Sequence, residues 1–459
     1  LETNTITWDA GSFRDPAGSV FFYNQDVYRT LNGKDISEVS ALLASEFFHN
    51  FVEAGAIIPT TLEKNIFSKQ GNISSFVLKH DKIPFITYPY EWSFEMLKEA
   101  ALLTLSILEN ALKEGFILKD GTAWNLTFNK GKMCFFDVLS IGKYQEGQTW
   151  EGYKQFCHEF LYPLMLKAYK DIDFQNIFKG SLSGLNAYFT NQLFSVSDLF
   201  KPGVFKHVFL NAKIGQQKTL EKASIRQQFK LPKAGLFKII DNLKGIIESL
   251  NTKNKTSVWH NYAAHNTYTD QDTNVKKEFI AKALKDVKSI VDIGCNTGEY
   301  SFLVADNAKI YSCDLDNDCI DQIFIKNKNE RKNITPFVLD LMNPSANCGW
   351  ILQERKSIYE RLQTDGFMAL ALIHHVCIAS NVPLKQFIEF LSHIAPQGIL
   401  EWVDKSDPMV QFLLRNREDI FDQYNWDNFY EILQQYFSVD QIKKINNGTR
   451  TLCFLKPLT

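Results

Sequence analysis

The run Val291-Asp292-Ile293-Gly294-Cys295-Asn296-Thr297-Gly298 sets one acid ahead of two glycines, between an apolar strand pattern and a helical one. A strand-to-helix turn of small residues lets the backbone approach a ligand closely, because glycine has no Cβ in the way. Asp314 follows Asp292 by 22 residues and ends the next apolar run, where a carboxylate can accept both hydroxyls of a ribose. A glycine turn with a later acid also serves dinucleotide enzymes, so these residues alone leave the nucleoside cofactor open. Farther on, His374-His375 closes another strand pattern. An imidazole of pKa about 6.5 can take a proton from a reacting hydroxyl. Glu401, in Glu401-Trp402-Val403-Asp404-Lys405, ends the following strand pattern and is a second candidate base. The competing readings are rings that only pack against a ligand, and loop charges that only face solvent.

These groups need elements to bring them together. From Val275 onward, helices and short apolar strands alternate. A helix over Val275–Leu284 precedes strands over Ser289–Ile293, Lys309–Cys313, Thr335–Leu339, Gly366–Ile373 and Gly398–Val403, with helices between them, among them Ile351–Leu362 and Leu384–His393. Such alternation implies a parallel sheet with helices on both faces. Phe437–Ile445 and Arg450–Lys456, around Asn446-Asn447-Gly448, predict a closing antiparallel hairpin. Ahead of this half, Trp259, Tyr262, His265 and Tyr268 form an aromatic and polar segment suited to covering a cofactor. The N-terminal half reads as α+β. It has a hairpin about Asn24-Gln25, a buried helix over Phe94–Leu112 stopped by Gly115, and two short strands about Asn129-Lys130-Gly131. Between Lys201 and Lys255 stand twelve Lys or Arg against three Asp or Glu. The expected division is therefore a domain over 1–200, a basic helical connector over 201–255 and a second domain over 256–459.

A chain of 459 residues exceeds one ordinary core, and 45% hydrophobic against 22% charged residues describes a globular protein. A net charge of -2 argues against a surface built throughout for nucleic acid. The eight cysteines include no CxxC pair and no zinc-type cluster, so reduced core thiols and no metal are expected. No signal-type segment opens the sequence given and no apolar run reaches membrane-spanning length, which makes the cytoplasm the expected location.

With these motifs in place, the C-terminal half resembles the class I S-adenosylmethionine-dependent methyltransferases. Their acid-x-Gly-x-Gly-x-Gly turn is met here with Asn296 at the middle glycine. The resemblance implies a seven-stranded Rossmann-like sheet with a terminal antiparallel hairpin, and S-adenosylmethionine as cofactor. It further implies that Asp292 orients the turn and the methionine amino group. Gly294, Asn296 and Gly298 would line the methionine moiety, Asp314 would take the ribose, and Asp340 with Leu341 the adenine. The run Asp340–Trp350 with Glu354-Arg355, Ala369–Val376 and Asp407-Pro408 is similar to a bacterial group of nodulation-type host-specificity methyltransferases.

The N-terminal half carries a separate signal. Asp120, Asn125 and Asp137 have the spacing of the catalytic Asp, the Asn and the metal-binding Asp of protein-kinase-like phosphotransferases. Leu118-Lys119 replaces the His-Arg of that pattern, and Val138-Leu139 replaces the Phe-Gly. No glycine-rich phosphate loop stands near residue 20, and Lys79 and Arg29 are the candidates for a strand-borne cation. A degenerate kinase-like domain that presents substrate is the expectation. The whole chain is expected to methylate a hydroxyl, or an amine, of a small molecule or glycan intermediate. The alternatives are a bifunctional kinase-methyltransferase and a noncatalytic cofactor-binding protein.

Overall fold

Asn24 and Gln25 both take left-handed backbone, φ 48° and 70°, as the tight turn between two right-twisted strands requires. They join β2 (Val20–Tyr23) to β3 (Asp26–Thr30) in the computed structural model, which describes residues 5–33, 36–64, 66–67, 75–214, 230–252 and 268–458. With β1 (Thr7–Trp8), β4 (Thr60–Lys64) and β5 (Phe76–His80) they form a five-stranded antiparallel sheet in the order β1-β2-β3-β5-β4. Phe67 packs edge-on to Phe21, Tyr23 and Tyr28, with ring centroids 5.1 to 5.2 Å apart. The helices Ile36–Leu43 and Glu46–Glu53 lie between β3 and β4 in the chain.

The helix Phe94–Lys113 has no Gly or Pro and buries Leu97, Ala101, Leu105, Leu108 and Leu112 at steps of three and four residues. Each fully buried Leu contributes about 1.5–3 kcal/mol to holding it in place. Gly115, at φ 83°, turns the chain into β6 (Phe116–Leu118). A hairpin of β7 (Leu126–Asn129) and β8 (Lys132–Phe135) follows, and β9 (Ile141–Lys143) returns to pair with β6. Asp120 thus leaves β6 while Asp137 joins β8 to β9.

Contacts divide the chain into Leu1–Lys253 with Asn347–Lys356, and Asn254–Ala346 with Ser357–Thr459. Two features depart from the sequence expectation. The described part of the basic connector packs as part of the unit. Its helix Lys233–Ser249 buries Leu236, Ile240, Leu243 and Ile247, Lys244 pairs with Glu109, and Lys98 donates to the Leu250 carbonyl at 2.6 Å. The helix expected over Ile351–Leu362 is broken instead into a short turn, Trp350–Leu352, and one helical turn, Ile358–Arg361. Gly349, Ile351 and Leu352 all have positive φ, which a helix cannot continue. The Glu354 carboxylate is drawn away to Arg14 (2.7 and 2.9 Å) and to the Trp350 N–H (3.1 Å).

In the second unit, β10 (Ser289–Ile293), β11 (Lys309–Asp314), β12 (Ile334–Val338), β13 (Gly366–Ala369) and β14 (Gly398–Val403) run parallel. β15 (Ser438–Ile445) and β16 (Arg450–Lys456) close the sheet antiparallel, in the order β12-β11-β10-β13-β14-β16-β15. This is the seven-stranded Rossmann-like sheet with a terminal antiparallel hairpin that the sequence predicts. Every residue of β12 and β14 is buried, as parallel strands covered by helices on both faces must be. The strand order reverses between β10 and β13, and a ligand crevice opens outside the carboxyl ends of strands at such a point. The fourth parallel strand stops at Ala369 rather than Ile373, because Ala371 turns left-handed at φ 50°. None of the eight cysteines is in a disulfide, and among the described residues no helix is long and apolar enough to cross a membrane.

Candidate functional site

Asp292, the fourth residue of β10, lies opposite Ser312 of β11 and is almost wholly buried. Its carboxylate accepts the Ser301 hydroxyl at 2.6 Å, which in turn accepts the Ser312 hydroxyl at 2.7 Å. Burial pushes the Asp292 carboxyl up to about 7; the Ser301 bond opposes this, the charge of Asp314 adds to it, and Lys276 offsets part of it. The turn that follows is left-handed three times, at Gly294, Asn296 and Gly298. A Cβ on Gly294 would come within 3.1 Å of Leu372 Cδ1, and one on Gly298 within 2.9 Å of Ile323 Cγ1. Asn296 can stand where the family pattern has glycine because Asn tolerates this conformation and its own side chain accepts the Thr297 N–H at 2.7 Å.

The second acid is fastened to the same turn. Asp314, last in β11, accepts the Asn296 N–H at 2.8 Å and the Asp316 N–H at 3.0 Å. Burial raises its pKa, and the Asp316 and Asn296 amides oppose the rise. Leu339 donates its N–H to the Asp314 carbonyl at 2.9 Å, so Asp340 and half-buried Leu341 leave the sheet beside it. Asp340 accepts the Met342 N–H at 2.8 Å. Three carboxylates at three adjacent strand ends suit a ligand rich in donors and positive charge. A pyrophosphate, which dinucleotides place at such a turn, would meet repulsion here. The chemistry of these acceptors therefore fits S-adenosylmethionine.

His374 and His375 begin the helical turn after the Ala371 corner, their ring centroids 4.2 Å apart. His374 is fully buried and neither ring nitrogen has a hydrogen-bond partner. Burial, with the neighbouring His375 and Arg450, holds His374 down to about 2; burial and Arg450 hold His375 at about 4. Both rings are neutral at physiological pH. Glu401 has a different setting. It is fully buried, bonded by Lys276 Nζ at 2.7 Å, by the Tyr268 hydroxyl and by the Ala371 N–H at 2.9 Å, with Arg450 3.8 Å away. Burial would raise the Glu401 carboxyl, but the charges of Lys276 and Arg450 and the bonds from Lys276 and Tyr268 outweigh it and hold it below the usual range. A carboxylate so thoroughly held is a poor proton acceptor, so Glu401 stands as the anchor of a network and not as a base. Of the segment expected to cover the cofactor, Tyr268 is described, whereas Trp259, Tyr262 and His265 lie outside the described residues.

Sequence reasoning passed over Lys276, Ser301 and Arg450. The signal for Lys276 was its place one turn before Ile280, the two buried residues of the helix Asp270–Ala283.

In the first unit Asp137 is paired with Arg29, which also holds Asp15. Burial raises the Asp120 carboxyl, and the charges of Asp137 and Asp15 raise it further, so the three acids lie within electrostatic reach of one another. Asn125 joins them through its carbonyl, which accepts the Phe136 N–H at 3.0 Å, and its buried Nδ2 has no partner. Of the two candidate cations, Arg29 reaches this group, while Lys79 pairs with Asp26 at 2.6 Å. Segment Asn347–Lys356 belongs to this unit as well. The Arg355 guanidinium lies 5.0 Å over the Trp124 ring, and the Lys356 N–H reaches the Tyr88 hydroxyl at 3.2 Å.

No family model matches the chain. Nodulation protein NoeA of Rhizobium meliloti (strain 1021) is 36% identical over 453 residues, covering 96% of this chain and 94% of that protein. Among solved structures, N-methyltransferase NodS from Bradyrhizobium japonicum WM9 is 9% identical with a TM-score of 0.30, over 41% of this chain and 98% of that one. The bifunctional kinase-methyltransferase WbdD is 15% identical with a TM-score of 0.29, over 43% of this chain and 41% of that one. The 16S rRNA methyltransferase RmtF, in complex with S-adenosyl-L-homocysteine, is 13% identical with a TM-score of 0.29, over 41% of this chain and 63% of that one.

Proposed function

Because this chain belongs to the family of nodulation protein NoeA, we propose that its second unit performs S-adenosylmethionine-dependent methyl transfer to a hydroxyl, with an amine as the alternative acceptor, of a small molecule or glycan intermediate. The observation that carries this reading is the set of carboxylates Asp292, Asp314 and Asp340 at three adjacent strand ends around a left-handed turn. In it Asp292 takes the ammonium, Asp314 the ribose hydroxyls, and Asp340 with Leu341 the adenine edge. Gly294, Asn296 and Gly298 bring the backbone against the methionine moiety. When bound there, S-adenosylmethionine supplies an electrophilic methyl group.

His374 and His375 are the candidates to take the acceptor's proton. Being neutral they can accept one, but their depressed pKa values limit how strongly they assist. Proximity and exclusion of water then carry most of the acceleration. The test is transfer of labelled methyl to a panel of hydroxyl and amine acceptors that includes glycans, beside calorimetry with S-adenosylhomocysteine. Failure to bind S-adenosylhomocysteine would sink the reading. Binding without transfer to any acceptor would favour the noncatalytic alternative.

A bifunctional kinase-methyltransferase is the second reading, supported by the gathering of Asp15, Asp120 and Asp137 with the unpartnered Asn125 amide. Arg29 counts against it, because its guanidinium already holds Asp137 and Asp15. ATP turnover that disappears in Asp137→Asn would support it. Intact methyl transfer without ATP turnover would leave the first unit as a kinase-like relic that presents substrate.

A further inference from the structure

Four ionisable side chains, two basic and two acidic, lie buried together in the second unit: Lys276 from a helix, Glu401 from β14, Asp407 at a helix start and Arg450 from β16. Their charges balance. Such a set is weak evidence for stability, since apolar residues of the same volume commonly serve as well. One bond links it to the crevice. Glu401 Oε2, besides meeting Lys276, accepts the Ala371 N–H at 2.9 Å. Ala371 is the left-handed corner that ends β13. The next residue, Leu372, lies against Gly294 of the cofactor turn, and its carbonyl accepts the His375 N–H at 2.9 Å.

We infer that Glu401 is a positioning residue: by accepting the Ala371 N–H it holds the corner that lays Leu372 against Gly294 and starts the turn bearing His374 and His375. This rests on the methyltransferase reading above. A left-handed alanine is a strained corner that persists only where its surroundings impose it. The β14 carboxylate imposes it here.

The test uses the full chain with S-adenosylhomocysteine as probe, read by calorimetry and by amide hydrogen exchange at Ala371 against β10 amides. Glu401→Asp keeps the charge but withdraws the carboxylate by one methylene. The expected result is S-adenosylhomocysteine bound about tenfold or more weakly, and Ala371 exchanging about tenfold faster, with β10 amides unchanged. Glu401→Gln keeps an acceptor for Ala371 while removing the charge. It should melt at lower temperature yet retain Ala371 protection and bind within about threefold of the parent below its melting range. A folded Glu401→Asp with unchanged affinity and unchanged Ala371 exchange overturns the inference. So does a Glu401→Gln that keeps Ala371 protected but loses affinity, and that variant decides the matter if Glu401→Asp fails to fold. A parent chain that binds no S-adenosylhomocysteine overturns the cofactor reading instead, and Ala371 exchange still judges the corner.

Discussion

Asp292 should make cofactor binding depend on pH in a direction opposite to its effect on folding. With its carboxyl at about 7 in the free protein, it is about half protonated at neutral pH. A bound ammonium requires the ionised form, so S-adenosylhomocysteine binding at pH 7 should release about half a proton. Affinity should rise about tenfold between pH 6 and pH 8, or about 1.4 kcal/mol. Folding responds the other way. A carboxyl raised above its unfolded value contributes stability that is full below about pH 4 and is lost as pH climbs through about 7. The charged and titratable groups acting on or near Asp292 are Asp314, Lys276, Cys295 and Tyr300. Burial keeps Cys295 and Tyr300 protonated throughout this window, and Asp314 is shifted in the same direction as Asp292. Asp292→Asn removes the contribution of Asp292, so its binding should be weaker and its slope from pH 6 to 8 shallower than that of the parent chain. Calorimetry in two buffers of different ionisation enthalpy measures the proton directly. No net proton release at pH 7, or the same pH slope in Asp292→Asn, would refute the reasoning.

Asp314→Ala should weaken S-adenosylhomocysteine binding by about 1.5–3 kcal/mol, the worth of hydrogen bonds to a charged group, with circular dichroism unchanged; equal affinity in a folded variant would remove Asp314 from the site. His374→Ala or His375→Ala should lower turnover by about 10²-fold, the low end of general-base assistance, as their depressed pKa values dictate, while sparing cofactor affinity, if either ring takes the proton. Parallel losses in binding and turnover would assign that ring to the cofactor wall. Glu354→Ala removes the partner of Arg14 and of the Trp350 N–H. Arg14 is well exposed, so the global cost should stay near about 0.5–1 kcal/mol, while amides of Asn347–Lys356 exchange faster; unchanged exchange there would show that Glu354 does not hold the segment.

The candidate site residues that the sequence picks out share one property: their relations are local. Asp292 through Gly298 form a strand, a turn and a helix start within a few positions, and the turn's left-handed residues are of types that reach that conformation at little cost. Alternating helices and strands also announce a parallel sheet, because a crossover needs a helix between parallel strands. Asp120, Asn125 and Asp137 can be read in the same way, since one hairpin brings Asn125 to Asp137 and the pairing of β6 with β9 just outside it brings Asp120 near. The network around Glu401 is not legible in this way. Lys276 and Arg450 lie 125 and 49 positions from it and become neighbours only because the sheet order sets β14 against β16 and the helix Asp270–Ala283 packs with Lys276 against Glu401. A lysine in an otherwise polar helix reads as a solvated charge until that packing buries it. The same holds for Asn347–Lys356, which joins the first unit through Arg14, Trp124 and Tyr88, residues more than 200 positions away. Local propensity settles the elements and the motifs they carry, whereas the partner of a buried charge is settled by which distant strands come to lie side by side.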